Sequence, residues 1–180
     1  MTETALLIVD VQIGMFGFPD MQPYQGESVI KNINALITRA RQQSAAVIFV
    51  QHDGGENHPL DAKVDGHAID PRLNKRATDP VIVKQHCVAF RNTALESTLE
   101  ILGVKQLIIT GIQTDYCVDS AVRIAVDKGY EVTIASGAHT TFDTEYMDAR
   151  DIITHHETIW TNNFGTVKPA KTVTFAKGRA

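Results

Sequence analysis

Residues 105–136 read KQLIITGIQTDYCVDSAVRIAVDKGYEVTIAS. The first part, 105–111, is a short apolar run rich in β-branched residues and predicts a strand. Over 115–128, Val118, Val122, Ala125 and Val126 share one helical face, and Gly129 closes the helix. The run at 130–136 predicts another strand. Strand, helix, strand in about thirty residues is a βαβ unit, and such a unit joins parallel strands.

The same alternation extends in both directions. Toward the N-terminus, ALLIVDV at 5–11 reads as a buried strand and 46–51 as a second one. Between them, 27–44 carries Val29, Ile30, Ile33, Leu36, Ile37 and Ala40 at helical spacing. PVIVK at 80–84 is a third strand, followed by a helix over 93–102 that Gly103 stops. The stretch 53–79, rich in Gly, His, Asp and Pro, predicts a long polar loop, of a length usually functional or disordered. Beyond 136, a helix over 144–156 and a short strand near 158–160 complete the expectation. The predicted fold class is α/β: a three-layer α/β/α sandwich with a mostly parallel, roughly six-stranded sheet. At 180 residues the chain is expected to be one domain.

Composition narrows the function. Hydrophobic residues at 43% and charged residues at 21% describe a globular chain rather than a disordered one. A net charge of −4 gives no basic surface, so neither a nucleic-acid partner nor an anionic membrane is expected. There is no apolar run of membrane-spanning length and no signal-like start, which predicts a cytoplasmic protein. Two cysteines, Cys87 and Cys117, make no disulfide framework, and no metal-ligand cluster stands out.

In parallel α/β sheets, ligands bind beyond the carboxyl ends of the strands. Three reactive residues fall at those ends: Asp10, Lys84 and Cys117. Cys117 opens the helix after the fourth strand, where unpaired N–H groups and the helix dipole favour a thiolate. Asp10 is costly at the end of a buried strand unless paired, and is expected to act as the base toward Cys117. Lys84 directly after PVIV is expected to hold Asp10 ionised. Cys87 lacks a helix N-terminus behind it and is assigned a packing role.

These residues lie in four ordered segments: ALLIVDVQ, DPVIVKQHCVAF, TGIQTDYCV and AVRIAVDKGYEVTIAS. Together they resemble the isochorismatase-like cysteine hydrolases, a superfamily that includes nicotinamidases and other amidohydrolases. The resemblance implies an acid at Asp10, a lysine at Lys84 and a nucleophile at Cys117. It also implies a cis peptide between Ile112 and Gln113, and an oxyanion hole built from the backbone N–H groups of Gln113 and Cys117. The implied activity cleaves a C–N bond of a small molecule through a thioester, without a cofactor. Subunit packing at the C-terminal end in the wider family implies a homo-oligomer.

The chain departs from its relatives near the expected pocket. His52 and Gly54 replace the Asp and His that help hold a metal in nicotinamidases, so no metal is expected. His67 stands where relatives often have Trp, Val88 where they have Ser, and Gly137 where they have Asp. The expected substrate-binding residues are Gln12, Phe16, His52, His67, Phe90, Tyr116 and Phe142. Vinyl ether hydrolysis of the isochorismatase type is the alternative activity, but it needs no thiol. A dinucleotide-binding module lacks its motif, since VQIGMFGFP fails G-x-G-x-x-G. A thiol redox role lacks a resolving cysteine beside Cys117.

Overall fold

Residues 2–17 and 22–175 are described by a computed structural model. Strand β1 (Thr4–Val9) is buried at all six positions. Leu6 and Ile8 pack into one apolar layer with Ile33, Leu36 and Phe49. Leu7 and Val9 point the other way, toward Leu99, Val122 and Trp160. A strand covered on both faces has no place for the alternating polar residues of a half-exposed sheet, which explains its unbroken apolar sequence. Each fully buried Leu or Ile contributes roughly 1.5–3 kcal/mol.

The other elements follow in order: α1 (Ile13–Phe16), α2 (Gly26–Gln42), β2 (Ala46–His52), β3 (Val81–Lys84), α3 (Leu95–Ile101), β4 (Gln106–Ile112), α4 (Asp119–Asp127), β5 (Glu131–Thr140), α5 (Ala149–Asn163) and β6 (Thr166–Pro169). The sheet order is β3-β2-β1-β4-β5-β6, with every neighbouring pair parallel. Helix α2 covers one face, while α3 and α4 cover the other. The chain winds outward from β1 through β2 to β3, then crosses back to place β4 on the far side of β1. The reversal opens a crevice between the carboxyl ends of β1 and β4, the position where such sheets receive ligands.

The C-terminal third differs from the sequence expectation. Residues 158–160 are the last turns of α5, and the sixth strand is Thr166–Pro169. Ala149, Ile152 and Trp160 are buried along one side of that helix, so tertiary packing at helical period overrides the β-branched character of Thr158 and Ile159. The strand expected at 130–136 runs on to Thr140, with Gly137 at a φ of +78°. Most of the 53–79 stretch is irregular, broken by a single 3₁₀ turn at Asp65–His67. No helix among the described residues is long and apolar enough to cross a membrane.

Gly111 is where the sheet admits no side chain. Its φ is +125°, and a Cβ there would stand 2.0 Å from the carbonyl oxygen of Val9. The residue pairs with Val9 across β1 and β4, next to Asp10. Gly111→Ala is expected to cost about 3 kcal/mol from strain and overpacking together. A denaturant midpoint unchanged from wild type would contradict this close approach.

Candidate active site

Strand β1 ends at Val9, and Asp10 follows with a left-handed φ of +54°. A non-glycine residue rarely takes this conformation, and such residues concentrate at functional sites. The turn still keeps the Asp10 N–H bonded to Val50 O at 3.0 Å. Lys84 arrives from the edge strand β3, where Ile82 and Lys84 point inward and Val81 and Val83 outward. The β2–β3 register sets Lys84 directly beside His52.

These placements converge on one ammonium. Lys84 Nζ lies 2.7 Å from Asp10 Oδ2, with the lysine side chain fully buried and the aspartate 3% exposed. It also donates to Cys117 Sγ at 3.3 Å and to His52 Nδ1 at 3.3 Å. An ammonium has three protons, and here each has an acceptor. Asp10 Oδ1, by contrast, is buried without a hydrogen-bond partner among the described residues.

Cys117 sits differently from the sequence expectation. It belongs to a single wide turn, Thr114–Val118, rather than to the first turn of α4. In that turn the Val118 N–H reaches five residues back to Gln113 O at 3.0 Å, which is π-helical geometry of the kind found at functional sites. The peptide bond between Ile112 and Gln113 is cis. From beneath, Thr114 Oγ1 meets His139 Nδ1 at 2.9 Å, and His139 Nε2 meets Glu157 Oε1 at 3.1 Å. Trp160 Nε1 donates to Asp119 Oδ1 at 2.8 Å, pinning the start of α4.

The electrostatics follow from burial and these partners. Burial raises the proton affinity of Asp10, with the Lys84 charge opposing it. Burial pulls Lys84 down, but Asp10 and then Cys117 outweigh it and leave the ammonium firmly protonated. His52 is lowered to about 4, by burial first and then by Lys84. The Cys117 thiol is pushed up by its hydrogen bond with Cys87, by burial and by the Asp10 charge, against Lys84.

Cys87 is not the packing residue that its sequence context predicts. It is exposed, and its Sγ lies 3.2 Å from Ser120 Oγ. Its thiol is lowered to about 6, chiefly by the hydrogen bond with Cys117. Thirty residues apart in sequence, the two thiols are neighbours in space, so the missing sequence neighbour of Cys117 is no argument about thiol partners.

A cavity of about 300 Å³ opens beside Asp10, lined also by Met15, His52, His58, Leu60, Gln113 and Phe142. The Cys117 sulfur is not part of that wall; it is half-buried and joined to the lining residues Asp10 and His52 through Lys84. Of the seven expected substrate-binding residues, His52 and Phe142 line this cavity. Gln12 instead braces the loop: its fully buried amide donates to His52 O at 3.0 Å and His67 O at 2.6 Å. His67 is engaged with Gln51 at 3.2 Å. Phe16 is buried in the α2-side core under the Arg72 guanidinium. Phe90 stacks on Tyr130 on the opposite face of the sheet, and Tyr116 is exposed. Met15, His58 and Leu60 escape sequence reading because loop closure brings them to the cavity, not local period.

Comparison with known proteins agrees with this architecture. Residues 4–153 match the isochorismatase domain family. An uncharacterised isochorismatase family protein of Bacillus subtilis, YddQ, is 31% identical over 81% of this chain and 82% of its own length. The ureidoacrylate amidohydrolase RutB of Yersinia enterocolitica is 32% identical, covering 67% of each chain. A crystal structure of an isochorismatase family protein superposes with a TM-score of 0.87 at 36% identity, spanning 93% of this chain and 99% of that one. The parallel six-stranded sheet, the site at its switch point and these similarities lead to one conclusion: the chain belongs to the isochorismatase family and is a hydrolase.

Proposed function

We propose that the protein is a cysteine amidohydrolase, in which Cys117 attacks the carbonyl carbon of a small carboxamide. The observation that carries this reading is the buried Lys84 ammonium, 2.7 Å from Asp10 and 3.3 Å from Cys117. It ties an acid and a thiol from distant strands into one unit. The similarity to an amidohydrolase supports the reaction class.

The steps balance as follows. Asp10 takes the Cys117 proton, and burial raises its proton affinity above that of an ordinary carboxylate. The sulfur adds to the carbonyl carbon, and the backbone N–H groups of Gln113 and Cys117 receive the oxyanion. Collapse expels ammonia, which carries away the proton that Asp10 took. Asp10 then accepts a proton from water, whose hydroxide attacks the thioester, and the carboxylic acid leaves as the proton returns to sulfur. Lys84 stays charged throughout and offsets the negative charge that passes between Asp10 and Cys117.

Acid-quenched mass spectrometry during turnover of small primary amides tests the scheme. An acyl adduct on Cys117 that appears with ammonia release is the expected result. Steady turnover with no adduct on this cysteine in pre-steady-state sampling would overturn covalent catalysis. The rate is also expected to fall with acid through a limb above 3.8, because burial raises Asp10 and protonation removes the base. A limb at or below that value in a pH–rate profile would remove Asp10 from this role.

A further inference from the structure

Two cavity residues, His52 and His58, take no part in the chemistry above. Their partners fix their tautomers. A lysine ammonium only donates, so His52 Nδ1 accepts the hydrogen bond from Lys84 at 3.3 Å. The backbone N–H of Leu60 donates to His58 Nδ1 at 3.1 Å. A neutral imidazole whose Nδ1 accepts carries its proton on Nε2. Among the described residues, no protein group pairs with either Nε2. The two rings meet edge to face with centroids 5.9 Å apart.

Gly54 permits this arrangement. A Cβ at that position would stand 2.0 Å from His58 Nδ1, so any side chain there would displace the ring. Asp10 and Gln113 line the reacting end of the cavity, and the remaining wall is Gly14, Met15, Pro59, Leu60 and Phe142. A substrate filling about 300 Å³ with its scissile amide at Asp10 and Gln113 would therefore meet the two imidazoles away from the reacting end, against an otherwise largely apolar wall.

We infer that His52 and His58 form a specificity subsite whose two Nε2–H donors bind an oxygen acceptor carried by the substrate beyond its scissile amide. The substrate class is a small primary amide bearing a second carbonyl or a carboxylate. This rests on the amidohydrolase reading and narrows it. An alkyl group in that place would take the imidazole donors out of water without pairing them, a loss expected to weaken binding by about 10-fold.

Binding to Cys117→Ala protein tests the subsite without turnover. Succinamate and acetoacetamide are compared by calorimetry with their alkyl isosteres, 4-methylpentanamide and 3-methylbutanamide. The acceptor-bearing amides are expected to bind about tenfold tighter, and the two pairs tell carboxylate from neutral carbonyl. In the same background His58→Ala is expected to narrow that ratio about tenfold, and His58→Gln, which keeps a donor, to restore part of it. Nitrogen-15 NMR is expected to find both rings protonated at Nε2. Equal binding within each pair, an equal effect of His58→Ala on both members, or an Nδ1–H tautomer would overturn the subsite. Wild-type turnover without acceptor preference would sink the subsite and spare the hydrolase. Preferential binding with no ammonia from any of the four would uphold the subsite and count against the amidohydrolase reading.

Discussion

Cys117→Ala is expected to lower kcat for amide hydrolysis by about 10,000-fold or more, with the fold intact. Removal of the nucleophile in an enzyme with covalent catalysis leaves only binding and oxyanion stabilisation, and losses of this order follow. The fold should survive, because Cys117 is half-buried and the Asp10–Lys84 pair does not depend on the sulfur. The informative control is Cys87→Ser. Cys87 has the lower proton affinity of the two thiols and lies beside Cys117, so it is the rival nucleophile. Its sulfur, however, pairs with Ser120, whereas the Lys84 ammonium bonds Cys117. Activity of Cys87→Ser within a few-fold of wild type is therefore expected in an ammonia-release assay. The opposite pattern, with Cys87 indispensable and Cys117 replaceable, would reassign the chemistry.

Lys84→Met should cost both stability and rate, and the stability loss should depend on pH. The lysine side chain is fully buried against an aspartate that is itself 3% exposed. Breaking a buried pair from one side costs about 3–5 kcal/mol, since the remaining charge is left uncompensated. Asp10 escapes that cost by taking up a proton. Its affinity is already raised by burial, and without Lys84 nothing of comparable strength opposes the rise. A carboxyl group bound more tightly to its proton in the folded state than in the unfolded state stabilises while protonated. That contribution disappears as pH rises through the folded value. The variant is thus expected to lose more stability at pH 8 than at pH 5 in denaturant titrations, and its acid limb should move upward. A kcat loss of about 100–1,000-fold is expected beside it. A pH-independent stability loss would mean that Asp10 is not the group left behind. Asp10→Asn added to Lys84→Met should recover much of the stability and none of the activity.

Much of the scaffold is legible from short-range pattern. The apolar run ending in Asp10, the inward alternation that delivers Lys84 and the βα junction bearing Cys117 all depend on residues a few positions apart. Their shared position at the carboxyl ends of parallel strands follows from topology alone, because every βα unit points its strand end the same way. The C-terminal strand was not legible, since the β-branched Thr158 and Ile159 look extended until Trp160 finds its buried seat beside the start of α4.

What the sequence by itself determined is the layered α/β architecture and the gathering of an acid, a lysine and a thiol on one rim. Local period and chain connectivity are enough for both. Tertiary structure alone decided the cavity wall: that Phe16 and Phe90 turn into separate cores, that Cys87 meets Cys117, and that His58 occupies the space left by Gly54. Those contacts are made by loops, whose path is set by long-range hydrogen bonds such as Gln12 to His52 and His67, and no periodicity records where such a loop will close.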